Sequence, residues 1–101
     1  MINNNLIEKI IKERKELHPD DPRIIDKWNE LTEILTNNED ETIKYLNTCS
    51  KENIDWISEI FEDISETFKS LKFIQCIEHL KDKYPELDLE QDILFAKEAM
   101  K

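Results

Sequence analysis

The sequence predicts an all-α fold, and three observations carry that prediction. Glycine is absent from the 101 residues. Tight hairpin turns, phosphate-cradling loops and dinucleotide folds all lean on Gly, so those architectures are disfavoured. Leu, Ile, Glu and Lys dominate, as helices prefer. Apolar residues recur at helical spacing between clear start and stop signals. The expectation is about six helices in a compact antiparallel bundle, or a short curved stack of helix pairs. With this length the chain forms a single helical domain over residues 1–101. No residue-level repeat establishes a true solenoid.

Each element has its own punctuation. Asn3 to Asn5 can cap a first helix carrying Leu6, Ile7, Ile10, Ile11 and Leu17. His18-Pro19 stops it. Asp21 caps a second helix with Pro22 at its first position. Ile24, Trp28, Leu31 and Leu35 form the stripe of that helix, flanked by Ile25 and Ile34, before Thr36-Asn37-Asn38 ends it. Asn38 and Glu41 suit a capping box for a short third helix bearing Ile43 and Leu46. Ser50 caps a fourth helix from Glu52 to Phe68. A fifth starts near Ser70, turns Phe73, Ile74, Ile77, Leu80 and Tyr84 inward, and ends at Tyr84-Pro85. Asp88 with Gln91 forms a second capping box, opening a last helix with Ile93, Ala96 and Met100. Connections of two to five residues imply antiparallel neighbours.

The bulk numbers narrow the function classes. A hydrophobic fraction of 39% suffices for a core, and the 38% of charged residues is too regularly patterned for disorder. The formal net charge is −10. Free nucleic acid and anionic membrane surfaces are repelled by such a chain, whereas a cationic protein is a natural partner. No apolar run approaches the roughly 18 residues of a membrane span. The N-terminal MINNNLIEK lacks the apolar core of a signal peptide. The expected compartment is the cytoplasm, where Cys49 and Cys76 are read as reduced, buried small hydrophobes.

Charge is concentrated in the middle of the chain. Residues 1–35 carry six basic and eight acidic side chains, and residues 71–101 carry five and seven. Residues 36–70 carry three and nine. Glu39, Asp40, Glu41 and Glu52 have a bland explanation, since carboxylates in a first turn favour the helix macrodipole. Glu59, Glu62, Asp63 and Glu66 lie beyond it.

The fourth helix is the most informative stretch. At roughly 100° per residue, Ile54, Ile57, Ile60, Phe61, Ile64 and Phe68 share one side. Glu52, Asp55, Glu59, Glu62, Asp63 and Glu66 take the other, with no Lys or Arg among them. Asp55–Glu59, Glu59–Asp63 and Glu62–Glu66 are like-charged i,i+4 pairs, each costing about 0.2–0.5 kcal/mol. A solvated face is the bland reading. A surface kept for a basic partner is the functional one. Trp56 sits at the edge between the two faces, so part of its ring should be exposed, and Trp is enriched at interface hot spots. Tyr45 lies off the Ile43–Leu46 line and is expected as a second exposed anchor. The candidate partner-binding residues are therefore Asp55, Trp56, Glu59, Glu62, Asp63, Glu66, Tyr45 and Glu41.

Chemistry finds little support in the residue spacings. There is no CxxC, HxxxH or Glu-x-x-His, so no metal ligand set and no cofactor are expected. His18 and His79 read as surface or capping residues. The Asn37 to Glu41 segment is acidic but lacks the alternating ligands and central Gly of an EF-hand loop. Glu59 and Asp63 lack the cleft that acid–base work requires. The expectation is a binding protein, not an enzyme.

The stretches WNELTEIL, YLNTCSKENIDWISEIFEDIS and FIQCIEHLKDKYPELDLEQDI resemble small acidic all-helical bacterial immunity proteins. These are encoded beside contact-dependent growth inhibition and other polymorphic toxins. The resemblance runs roughly from Trp28 to Ile93 and is one of general character, not of a diagnostic motif. It implies a cytoplasmic protein, a monomer or weak homodimer, that binds the toxin's basic C-terminal domain and neutralises it. Many such toxins are nucleases with cationic active sites, and an RNase is the expected kind. Glu59 and Glu62 replaced by Lys should then abolish protection and leave helicity intact. Two other classes stay open: a nucleic-acid mimic that inhibits DNA-binding proteins broadly, and a helical adaptor or dimerisation module whose association barely changes with salt.

Overall fold

The capping residues explain where most helices begin. The computed structural model describes residues 2–101. It contains α1 (Asn4–Glu16), α2 (Arg23–Leu35), α3 (Glu39–Thr48), α4 (Lys51–Ile57), α5 (Phe61–Phe68), α6 (Leu71–Lys83) and α7 (Glu90–Ala99). Single 3-10 turns occupy Ser58–Ile60 and Pro85–Leu87, and the described residues contain no strand. Asn3 Oδ1 accepts from the Leu6 N–H at 3.0 Å, and Asn38 Oδ1 accepts from Glu41 at 3.0 Å. Ser50 Oγ accepts from Asn53, and Ser70 Oγ from Lys72, each at 3.1 Å. Each bond satisfies a backbone donor that the helix itself leaves orphaned. Asp21 caps from one place further out, because the helix starts at Arg23. Its Oδ1 accepts from the Arg23 N–H at 2.8 Å. The Arg23 side chain, hydrogen-bonded to the same carboxylate, holds the Asp21 pKa down to about 2.

Two expected elements take a different form. The capping box of Asp88 and Gln91 does not form. Asp88 adopts a left-handed conformation at φ 52°, and Leu89 takes the N-cap position with no side-chain cap. Leu89 is drawn into the core at 1% exposure, which sets the helix start one residue later than the polar pattern suggested. The helix expected from Glu52 to Phe68 is broken in the middle by Ser58–Ile60. The buried Ser58 turns its hydroxyl back onto the Asp55 carbonyl at 2.6 Å, a local bond that competes with helical pairing. Ile60 then leaves helical geometry at φ −118°, ψ 13° before α5 resumes.

The apolar stripe survives that break. Ile54, Ile57, Ile60, Phe61 and Ile64 are all fully buried, and Phe68 is half-buried against them. Phe73 of α6 meets Phe61 and Phe68 edge-on, with ring centroids 6.2 and 6.1 Å apart, an arrangement that suits the ring quadrupoles. The principal extents, 31 × 28 × 26 Å, are nearly equal, so the helices wrap one core instead of extending as a stack.

α1 and α2 form the expected antiparallel hairpin, with the start of α1 and the end of α2 lining one groove. The most extensive pairing, however, is between α5 and α7, which are not sequence neighbours. Small residues allow it: Ala96 is fully buried, and Ser65 Oγ donates to its carbonyl at 2.6 Å. Ser58 lies beside Asp92 and Ser65 beside Ala96, so the chain runs in the same direction along both. Contacts from Asp40 to Lys72 and from Asn47 to Cys76 advance together along α3 and α6 in the same way.

Candidate functional site

The fold divides the acidic side of α4 and α5 into two parts, one paired and one not. Glu59, which the sequence leaves without a local cation, receives one from α1. Arg14 donates through Nε to Oε1 at 2.9 Å and through a terminal nitrogen to Oε2 at 2.7 Å, a bidentate fork. The Trp28 indole N–H of α2 donates to the same Oε1 at 3.0 Å. The Arg14 guanidinium also lies 5.0 Å from the Trp56 ring centroid, within cation–π range. Side-chain exposure is 11% for Arg14 and 26% for Glu59, so the guanidinium is shielded while the carboxylate stays partly open to solvent. Glu59 and Trp56 thus join α1, α2 and the α4–α5 segment together. Lys15 pairs with Glu52 beside them.

Tyr45 also departs from its expected place. It is 8% exposed, and its hydroxyl accepts from Asn53 Nδ2 at 3.3 Å. Burial pushes the phenol pKa up to about 12. The α3 helix turns this side chain toward α4 because Asn53, itself buried and bonded to Glu8, supplies a partner there. An exposed anchor at Tyr45 is therefore ruled out by its burial. Trp28, read as core, is half-buried with its N–H committed to Glu59.

The unpaired part comprises Asp55, Glu62, Asp63 and Glu66. All four are exposed, and among the described residues none has a Lys or Arg within ion-pair distance. Burial of its carboxyl, with the like charge of Glu66, raises the pKa of Asp63. Glu62 lies three residues before Ser65 and so shares the side of α5 that faces α7. Glu41 belongs elsewhere: it lines a groove beside α1 and α2 that none of these four reaches.

The start of α7 adds to this face, which the linear reading did not anticipate. Asp92 has its pKa raised, first by burial and then by the nearby charges of Asp55, Glu59 and Asp88, with the neighbouring Ser58 hydroxyl opposing. Carboxylates from α4, the 3-10 turn and α7 therefore crowd one surface. Phe95 lies one turn beyond Asp92 on the same flank of α7, and 45% of it is exposed. The opposite flank carries Lys97, which pairs with Glu78 of α6 at 3.2 Å. Trp56 is half-buried, so part of its ring is open as its edge position suggested, and Phe95 is a further exposed aromatic on the flank of α7 that carries Asp92. Its exposure could not be read from an amphipathic pattern that runs Ile93, Leu94, Phe95, Ala96.

Other chemistry is thinly represented. Cys49 and Cys76 are free, and burial raises each thiol to about 11. His18 Nδ1 accepts from the Asp20 N–H at 3.1 Å, a local capping role. Among the described residues no group of three His, Cys, Asp or Glu side chains comes together in a way that could hold a metal ion. No described helix is long and apolar enough to cross a membrane. No protein-family model, no curated protein and no solved structure matches the chain.

Proposed function

We propose that this protein is an immunity protein that binds and neutralises a cognate cationic toxin domain in the cytoplasm, with a nuclease, most simply an RNase, as the target. One observation carries the reading. Cations reach Glu52, Glu59 and Asp40 from other helices, yet Asp55, Glu62, Asp63 and Glu66 are left without one. Asp88 and Asp92 then add charge beside Asp55. A nuclease active site must hold phosphates and is cationic, so its field is complementary to this surface. Such complementarity speeds association and rejects wrong partners more than it adds raw affinity. Speed suits an inhibitor whose target is lethal while free. Phe95 supplies the apolar contact that charge alone does not.

A second reading has its own support in Leu94 and Phe95, 47% and 45% exposed on neighbouring positions of α7. An adaptor that self-associates through α7 would use them. The test is capture of partners by the tagged protein, washed at low and high salt, with the Glu62→Lys/Glu66→Lys variant in parallel. One stoichiometric partner with a basic domain and nuclease activity, released by salt and not held by the variant, supports immunity. Recovery of the bait alone, with concentration-dependent self-association, supports the adaptor. Retention of many DNA-binding proteins supports a nucleic-acid mimic.

A further inference from the structure

A groove of about 520 Å³ opens between α1 and α2, away from the acidic face just described. Its floor is apolar, built from Ile2, Leu6, Ile10 and Ile34. Leu6 is 39% exposed there, on a helix whose neighbouring Ile7, Ile10 and Ile11 are buried. The walls are acidic: Glu13 stands on α1, and Glu30 and Glu33 on α2. Lys27 serves both Glu13 and Glu30, at 3.1 and 3.2 Å, so one cation is divided between two carboxylates. Glu33 has no cation within ion-pair distance among the described residues. Among the described residues, Lys9 is the one basic residue in the lining. The groove also continues past Ile2 and Glu41 into a second depression of about 180 Å³ beside Tyr45 and Thr48.

We propose that this groove binds a short basic amphipathic helix of a partner protein. Shape argues for a helix. The lining follows α1 from Leu6 to Glu13, which at 1.5 Å per residue is a run of about 10 Å, or two helical turns. A helix of that length lays its apolar side chains at i, i+3 and i+7 along one face. Those side chains would cover Leu6 and Ile34, and a small molecule would fill only part of the run. Charge argues for a basic one. A neutral apolar segment would desolvate the wall carboxylates and offer them nothing in return. An acidic segment, including a second copy of this chain, would meet like charge. Lys or Arg flanking the apolar stripe would pair with Glu33 and complete the half-neutralised Glu13 and Glu30. This site does not depend on the acidic face of α4, α5 and α7, and a partner could use either without the other.

The probe is a fluorescein-labelled Leu/Lys peptide of about twelve residues, measured by anisotropy. Controls are a scrambled peptide with the same composition and no apolar face, and a Leu/Glu analogue. The whole protein should bind the amphipathic peptide at least about tenfold more tightly than the scrambled one, and should not bind the Leu/Glu analogue. Leu6→Asn and Glu33→Lys each lose one wall or floor contact and should weaken binding about fivefold or more. Both sites are exposed, and thermal melts show whether each variant keeps its fold. Glu62→Lys/Glu66→Lys should leave this affinity within about twofold. Equal binding of ordered and scrambled peptides, no binding at all, or loss only in the Glu62→Lys/Glu66→Lys variant overturns the proposal.

Discussion

Reversing the charge of Glu59 and of Glu62 should have opposite consequences, although both lie on the acidic side of the same stretch. Glu59 accepts three hydrogen bonds, two from Arg14 and one from Trp28. Hydrogen bonds to charged groups are worth about 1.5–3 kcal/mol each when well shielded. Breaking a buried pair by removing one partner costs about 3–5 kcal/mol. The Glu59 side chain is 26% exposed and partly solvated, which places the loss at the lower end of that range. Glu59→Lys also sets a second cation against Arg14, so a total of about 3 kcal/mol is expected. For a domain of this size that corresponds to a fall in Tm of about 12–24 °C. Because the break restarts the helix at Phe61, Glu62 lies in the first turn of α5 and not beyond one. Glu62→Lys removes no ion pair, and the relieved repulsion with Glu66 offsets the lost macrodipole term, so stability should stay within about 0.5 kcal/mol. Thermal unfolding followed by circular dichroism gives both values, and Trp fluorescence reports the cluster directly because Trp28 and Trp56 are both part of it. A Glu59→Lys variant that melts within about 2 °C of the parent would refute the structural role of the Arg14 cluster. It follows that a double Glu59/Glu62 reversal confounds folding with binding. Glu62 and Glu66 are the positions at which to test the partner surface.

Three further outcomes follow from the geometry. Lys69 closes α5 in a left-handed conformation at φ 46°, ψ 51°, which costs a non-glycine residue about 1 kcal/mol. Lys69→Gly should therefore raise Tm by several degrees, and a lower Tm would contradict that account. Asp92 has a raised folded pKa, so its protonated form is favoured by folding and stability is lost as pH climbs through the shifted value. Asp92→Asn should raise the urea midpoint at pH 7 more than at pH 4; an equal effect at both would contradict the burial argument. The Cys49 and Cys76 thiols, both held at about 11, carry little thiolate near neutral pH. Cys76 is buried and Cys49 half-buried, so iodoacetamide should leave both unmodified in the native protein and label both in urea; rapid native labelling would contradict the low thiolate fraction.

The legible parts of the fold were those decided locally. Asn3, Asn38, Ser50 and Ser70 cap their helices because each bonds a backbone N–H two or three residues away. The stripe from Ile54 to Ile64 is buried as its period requires. What escaped the linear reading depends on partners distant in sequence. Arg14 and Glu59 lie 45 residues apart, and nothing in either neighbourhood announces that they meet. The helical angle of Tyr45 predicts an exposed ring, but the buried Asn53 draws it inward. The break at Ser58 is silent in the apolar pattern because Ile57, Ile60 and Phe61 stay buried on either side of it. Asp92 comes beside Asp55 and Glu59 because Ser65 and Ala96 are small enough to bring α5 and α7 together. Of the candidate site, Asp55, Glu62, Asp63 and Glu66 keep the open position that their spacing suggested.

The central claim is that an unpaired acidic surface on α4, α5 and α7 receives a cationic partner. The most direct measurement is the association rate of the parent and Glu62→Lys/Glu66→Lys proteins with the partner captured by the parent. Rates would be taken from about 0.1 M to about 1 M salt, over which the Debye length contracts from about 10 to about 3 Å. The parent rate should fall steeply with salt, and the variant should associate at least about tenfold more slowly at low salt with a flatter dependence. Rates that ignore salt, or a variant that associates like the parent, would contradict the claim.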